Sequence, residues 1–155
     1  MNDILLHPIA YVKNTRPALS DDYWGELISE IELIDSLPAA AFDGIENFSH
    51  LEVLFYFHKS NPENKVLFGR PRENPQWPVT GIFAQRKKDR PNNLGTTIVK
   101  LNKRVGNKLY VENLDAIDTT PVLDIKPVFK EFLPAGEIVQ PPWSIQLMAN
   151  YWNKK

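Results

Sequence analysis

The sequence predicts an all-β fold: a small, closed or nearly closed β-barrel with short helices. Three observations predict it. Short runs of alternating or β-branched apolar residues recur along the chain, most clearly at 26–33, 49–58, 96–101, 109–114 and 122–127. Thirteen prolines and several turn-forming pairs break the chain between those runs. The run 49–58 is apolar on both of its faces, so it needs cover on both sides, from other elements or from a subunit interface.

The elements follow in order. Residues 7–12 read as a first strand with Pro8 at its start, ended by Asn14-Thr15-Arg16-Pro17. Ser20 to Gly25 is a turn or a helix-start-like segment carrying an exposed-looking aromatic pair, Tyr23 and Trp24. In 26–33 Leu27, Ile31 and Leu33 share one face while Glu26, Glu30 and Glu32 share the other, the mark of a half-buried strand. Residues 37–47 form a short helical or irregular connector, with Pro38 suited to a first turn and Gly44 to its end. A loop from Lys59 to Arg72 and an irregular stretch, 73–78, lead to a strand at Val79–Ala84. Thr96–Leu101 and Leu109–Leu114 pair across the Gly106-Asn107 turn, and Val122–Pro127 is the last strand. A tail, 128–155, packs on the barrel or on a partner subunit, with a short amphipathic helix expected at Ile145–Trp152.

At 155 residues, 43% hydrophobic and 24% charged, the chain reads as one globular domain with a core of ordinary size. It has no cysteine, which excludes a disulfide framework, a thiol nucleophile and a Cys-based metal site. The N-terminus lacks the pattern of a signal peptide, no apolar run is long enough to span a membrane, and a cytoplasmic location is the expectation. Charge is unevenly spread. Residues 1–64 carry 11 acids and 3 bases, residues 65–108 carry 11 bases and 2 acids, and residues 109–155 carry 6 acids and 4 bases. A near-neutral chain with a basic middle third can meet a polyanion on one face; the competing reading is that its acidic and basic segments pair with each other.

Much common chemistry is missing. Neither Gly-rich phosphate motif occurs, nor a nucleophile elbow around a serine. His7, His50 and His58 lack the spacing of a zinc helix, and no metal site is expected. Carboxylates do cluster: Asp115, Asp118 and Asp124 lie within ten residues beside Thr119-Thr120-Pro121. Such a group can cap a turn, or accept a ligand's hydrogen bond or a proton. In Gly81–Gly95 an apolar run passes into Arg86, Lys87, Lys88 and Arg90 and then into Pro91-Asn92-Asn93, a rigid loop that presents cations.

Several of these segments together resemble a known family. Ser49-His50-Leu51, Phe57-His58, Gly81-Ile82-Phe83-Ala84 with Arg86, Arg90-Pro91-Asn92, Gly95, and Asp118-x-Thr120-Pro121-Val122-Leu123-Asp124-Ile125-Lys126-Pro127 occur in the order of the TsaA/TrmO-like S-adenosylmethionine-dependent tRNA methyltransferases. The resemblance begins at His7-Pro8-Ile9, includes Asp21-Asp22-x-Trp24-Gly25 and reaches Gly136-Glu137-x-x-Gln140-Pro141. It implies a β-barrel and a homodimer with S-adenosylmethionine bound near the subunit interface. The implied reaction is N6-methylation of threonylcarbamoyladenosine beside a tRNA anticodon. The implied cofactor contacts are Asp22, Tyr23, Trp24, His58, Lys59, Arg86, Thr96, Leu114, Asp115, Ile117, Asp118, Thr119 and Thr120. Three positions depart from the family pattern: Asn93 replaces a proline, Thr119 a glycine and Val128 a tyrosine. A glycine with positive φ at position 119 would leave threonine strained there.

Methyl transfer from a sulfonium needs positioning and exclusion of water. Tyr23 or Trp24 are candidates to face the sulfonium, and Arg86 to pair with the cofactor carboxylate. Asp118 is the first candidate for the proton acceptor and Asp115 the second. Phe83–Arg86 would face the cofactor and Lys87–Arg90 the RNA. Arg70, Arg72, Lys87, Lys88, Arg90, Lys103 and Arg104 are the expected contacts to the anticodon stem-loop, with Trp77 a candidate stacking platform. The competing readings are a barrel that binds cofactor or RNA without turnover, and a methyltransferase of another substrate.

Overall fold

The computed structural model describes residues 3–61, 63 and 65–153. Six of the eight strands among the described residues close a barrel: β1 (Ala10–Lys13), β2 (Ile28–Leu33), β3 (His50–Tyr56), β6 (Leu94–Val105), β7 (Lys108–Glu112) and β8 (Pro121–Pro127). The order around it is β1-β2-β7-β6-β3-β8, and every neighbouring pair, including the closing β1–β8 pair, is antiparallel. The period-two pattern sets the inside. Val12, Ile31, Leu33, Leu51, Val53, Phe55, Val99, Leu109, Val111 and Val122 point inward and are buried. At about 1.5–3 kcal/mol for each fully buried large apolar side chain, this interior is the main stabilising term.

The two ends differ. Phe42, on a 3-10 turn at Ala39–Phe42, plugs one end with Leu37, Ile45 and Phe48 packed beside it. Gly44 at φ 86 reverses the chain between that turn and a second one at Ile45–Asn47. Arg104 ties the plug to β6 through Asp43 at 2.8 Å, Glu46 at 3.5 Å and the carbonyl of Ala39 at 2.8 Å. At the other end, where β7 leaves and β8 begins, Leu114 and Ala116 of the connecting loop join the buried core.

Two sequence expectations change. Val79–Ala84 is not a barrel strand: Thr80–Gly81 (β5) pairs only with Phe68–Gly69 (β4) in a small separate hairpin, and Ile82–Ala84 is a 3-10 turn. The turn buries Ile82 and leaves Phe83 81% exposed, so the apolar run that read as a strand splits between inside and outside. On the outer face of β3, Leu54 is half-buried and Tyr56 is 40% exposed within the single chain. The helix at the C-terminus runs Pro142–Met148 (α1), starting three residues earlier than expected because Pro142 takes its first position. No helix is long and apolar enough to cross a membrane among the described residues.

Candidate active site

This end of the barrel borders a cleft of about 1300 Å³ that extends onto the outer face of β3 and β6 at Glu52, Thr96 and Ile98. Its walls come from segments far apart in sequence: 19–24, 57–60, 71–73, 84–89, 115–120 and 140–152.

Asp115 sits in this cleft with both carboxylate oxygens engaged. Thr97, buried on β6, donates its hydroxyl to Oδ1, and Tyr151 donates its hydroxyl to Oδ2 at 2.6 Å. Asp118 does not line the cleft; its Oδ1 accepts the backbone N–H of Asn14 at 3.1 Å, the turn-capping role open to an Asp in such a loop. Thr119 holds a left-handed φ of 66, the conformation anticipated for a glycine there, at a cost on the order of 1–3 kcal/mol. Its backbone N–H donates to Val12 and its hydroxyl to the carbonyl of Asp118, and these bonds hold the turn. The hydroxyl oxygen also lies 3.3 Å from Nε2 of His58. Burial, with the neighbouring Lys59 charge, lowers the His58 imidazole below its ordinary value, so it is neutral near pH 7.

Of the other expected cofactor contacts, Trp24, His58, Lys59, Arg86, Thr96, Ile117 and Thr120 line the cleft. Leu114 does not: it is fully buried in the barrel core. Tyr23 opens onto a neighbouring recess with Arg16 and Leu27. Asp22 lies behind the wall, where Arg72 grips its carboxylate with two bonds of 2.8 and 3.0 Å. That pair holds the Arg72 guanidinium above its ordinary pKa.

Trp24 is not an exposed aromatic. It is 4% exposed, and the Arg16 guanidinium covers its ring at 4.0 Å from the centroid. One ring face is therefore already occupied by a cation. Its indole N–H is buried without a hydrogen-bond partner. Arg86 stands exposed at the rim with its guanidinium donating to the carbonyl of Thr96.

The expected RNA contacts separate into two groups. Arg72, Lys87 and Lys88 line the cleft, and Arg70 and Arg90 lie in the adjoining loops, bonded to the carbonyls of Trp77 and Gln85. Lys103 and Arg104 lie at the plugged end of β6, Lys103 over the ring of Tyr110 at 4.7 Å and Arg104 in the acidic clasp described above. Pairing of basic and acidic segments thus accounts for Arg72 and Arg104. The division expected of the 83–90 loop is not kept: Phe83 points to solvent, while Ala84, Gln85 and Arg86 line the cleft together with Lys87, Lys88 and Asp89. Trp77 is half-buried, its indole N–H donating to Gln146 at 2.8 Å and its ring 6.4 Å from that of Trp143. It docks the tail.

Of the three departures, Asn93 is buried at φ 51, a value closed to proline, with its Nδ2 donating to the carbonyl of Lys88 at 3.3 Å. Val128 hydrogen-bonds to His50 at the far end of β8, on the order of 25 Å of strand from Thr120.

The tail is the part that reading the sequence missed. Gln140, Trp143, Met148, Tyr151 and Trp152 all line the cleft. The segment is held by backbone bonds from Tyr23 to Asn150 at 3.1 Å and from Trp24 to Tyr151 at 2.8 Å. Gly25 makes this approach possible, because a Cβ there would stand 1.9 Å from the carbonyl oxygen of Trp152. No sequence signal pairs 23–25 with 150–152; the amphipathic pattern of the last helix was the only hint. Gly25→Ala is expected to release the tail. Limited proteolysis reads this as cleavage within 141–153 accelerated about tenfold or more while the barrel resists; an unchanged cleavage rate would refute it.

The family model described as the tRNA-methyltransferase O N-terminal domain matches residues 15–132. The tRNA (adenine(37)-N6)-methyltransferase of Mus musculus is 43% identical over 96 residues, 61% of this chain and 22% of that protein. The protein of the same name from Homo sapiens is 38% identical over 114 residues, 73% of this chain and 25% of that protein. A probable S-adenosyl-L-methionine-binding protein of Methanocaldococcus jannaschii is 38% identical over 98 residues, 62% of this chain and 77% of that protein. The chain therefore spans about a quarter of the length of the mammalian relatives. A crystal structure of TrmO from P. aeruginosa shares the fold, with a TM-score of 0.74 and 23% identity over 92% of this chain and 62% of that one.

Proposed function

The chain belongs to the tRNA-methyltransferase O N-terminal domain family, and from that premise we propose that it transfers a methyl group from S-adenosylmethionine to N6 of threonylcarbamoyladenosine beside a tRNA anticodon. The observation that carries the cofactor assignment is the buried indole N–H of Trp24, which lacks an acceptor in the wall of a cleft large enough for a nucleoside ligand. The relatives' names add weight, being those of adenine-N6 methyltransferases and S-adenosylmethionine-binding proteins.

The residues fit the cofactor's mixed chemistry. Arg86 at the rim suits its carboxylate, Trp24 and Ile117 suit apolar and ring contacts, and the 115–120 loop offers carbonyls and hydroxyls. When bound, S-adenosylmethionine supplies a methyl group whose bond to sulfur breaks with both electrons remaining on sulfur. Asp115 orients the substrate N6–H and receives its proton as the new N–C bond forms, then passes it to water. Asp115 takes this role ahead of Asp118, because its carboxylate lines the cleft while that of Asp118 caps a backbone N–H. Neutral His58 and the tail exclude water from the site.

RNA enters across the rim, with Arg70, Lys87, Lys88 and Arg90 meeting phosphates. Replacing Lys87 and Lys88 together by Ala is expected to lower the slope of log affinity against log salt by about 1.5, while Arg104→Ala leaves it unchanged. Filter binding of an anticodon stem-loop over a salt series measures both, and equal slopes in the double variant and the unaltered chain would refute the placement.

We place the reaction in the cytoplasm and the working form as a homodimer. Support for the dimer comes from exposed apolar side chains on the outer barrel face and along the 128–140 segment, where Phe132 is 86% and Val139 88% exposed. The deciding experiment titrates S-adenosylmethionine by calorimetry and then follows labelled methyl transfer into tRNA that carries threonylcarbamoyladenosine. Binding with transfer supports the reading. Binding without transfer makes the chain a binding module, and label in another acceptor changes the substrate.

A further inference from the structure

Tyr151 lies outside residues 15–132, the stretch that the family model matches, yet it makes the tail's one hydrogen bond to a carboxylate of the cleft among the described residues. We propose that Tyr151 is a positioning residue for methyl transfer: its hydroxyl holds the Asp115 carboxylate in the orientation that meets the substrate N–H. The proposal rests on the methyltransferase reading above and adds the C-terminal segment to the working site.

The geometry carries it. Asp115 reaches the cleft from the loop after β7, and a carboxylate on a loop turns freely unless both oxygens are held. Thr97 holds Oδ1 from the barrel side, and Tyr151 holds Oδ2 from the tail side. Each oxygen retains a second lone pair, which leaves room for a substrate N–H. Tyr151 is itself fixed. Its carbonyl accepts the N–H of Trp24 at 2.8 Å, its own N–H donates to Met148 at 3.1 Å, and its ring meets Trp152 edge to face at 5.0 Å. Burial first, then the Asp115 charge, push the phenol well above its ordinary pKa against the opposing pull of Arg86 and Arg72. The hydroxyl therefore remains a donor at any working pH. During transfer it keeps its proton, and the N6 proton goes to Asp115.

The two anchors come from different parts of the molecule. Thr97 belongs to the rigid barrel, whereas Tyr151 arrives only when the tail is docked against Tyr23, Trp24 and Gly25. Docking therefore sets the carboxylate as well as covering the cleft.

Tyr151→Phe keeps the ring and the backbone bonds and removes only the hydroxyl. Single-turnover transfer at saturating S-adenosylmethionine is compared in the unaltered chain, Tyr151→Phe, Asp115→Asn and the double variant. The expected result is a rate about tenfold lower in Tyr151→Phe with KM for the tRNA stem-loop within about twofold, and a double variant no slower than Asp115→Asn alone. A rate within about twofold of the unaltered chain overturns the proposal, as does a full further loss in the Asp115→Asn background. If the unaltered chain transfers no methyl, the functional reading fails on its own. The hydroxyl's hold on Asp115 is then read separately from the Asp115 side-chain carboxyl 13C resonance, which must move in Tyr151→Phe; an unmoved resonance overturns the contact too.

Discussion

Asp115→Asn is expected to slow methyl transfer by about 100-fold or more while changing S-adenosylmethionine affinity by less than about threefold. Asparagine has the shape of aspartate and keeps one oxygen acceptor. The hydroxyls of Thr97 and Tyr151 are rotors, and either can turn to accept from the new amide. The barrel and the tail therefore survive the change. What disappears is the negative charge and the place for the N6 proton, and both matter only as the reaction proceeds. Asp118→Asn makes the contrast. Its oxygen bonds the Asn14 N–H, which an amide oxygen also accepts, so the rate should hold. Burst kinetics on a modified stem-loop with cofactor affinity measured beside them check the pair. An Asp115→Asn rate within about threefold of the unaltered chain would remove Asp115 from the chemistry.

Gly95→Ala carries the largest expected cost in stability, about 2–3 kcal/mol or more. A Cβ there would lie 2.5 Å from Cε2 and 2.6 Å from Cζ of Phe55, and 2.9 Å from Cζ of Phe57. Phe55 is 1% exposed and its ring meets that of Phe57 edge to face at 5.3 Å. The two rings are packed against each other, so admitting the Cβ means displacing both from that contact. Both also line the cleft, so cofactor affinity falls with stability. Urea denaturation should show a lower midpoint at an unchanged m-value, and a thermal midpoint lower by about 5–10 °C. A loss under about 1 kcal/mol would mean that the Phe55–Phe57 pair is mobile.

How far these features were legible beforehand depends on the physics of each. The barrel strands were, because a period of two separates Leu51, Val53 and Phe55 from Glu52 and His50 whatever the surroundings. The turn at Ile82–Ala84 is not legible in the same way, because Ile82 and Phe83 are equally apolar and only the local turn sends one inward and the other out. Backbone at positive φ was poorly legible away from glycine. Tyr23, Arg72, Glu73, Asn93, Asn113 and Thr119 all adopt it, and of these five residue types only Asn favours it. Thr119 was anticipated only through the family resemblance. In the site, Asp115 and Asp118 are indistinguishable as letters in one loop; what parts them is which carboxylate the chain has already used. Tyr151 carried no signal, because its partner Asp115 lies 36 positions away and is reached only once the barrel has formed.

The closing of the barrel has a consequence for how a chain acquires its site. β1 pairs with β8, and the bond from Asn14 to Asp118 joins residues 104 positions apart. Contacts at such separations repay their loop-closure entropy only after most of the sheet exists, so high contact order makes assembly slow. The cleft is bounded by the loop that leads into β8 and by the tail beyond that strand. A nascent chain lacking β8 thus has paired strands in its middle and no place for a ligand. Conversely, anything that unlatches β8 or the tail abolishes the site while β6 and β7 are still paired. The complete cleft is therefore a late feature of the folding chain and an early loss when the barrel opens.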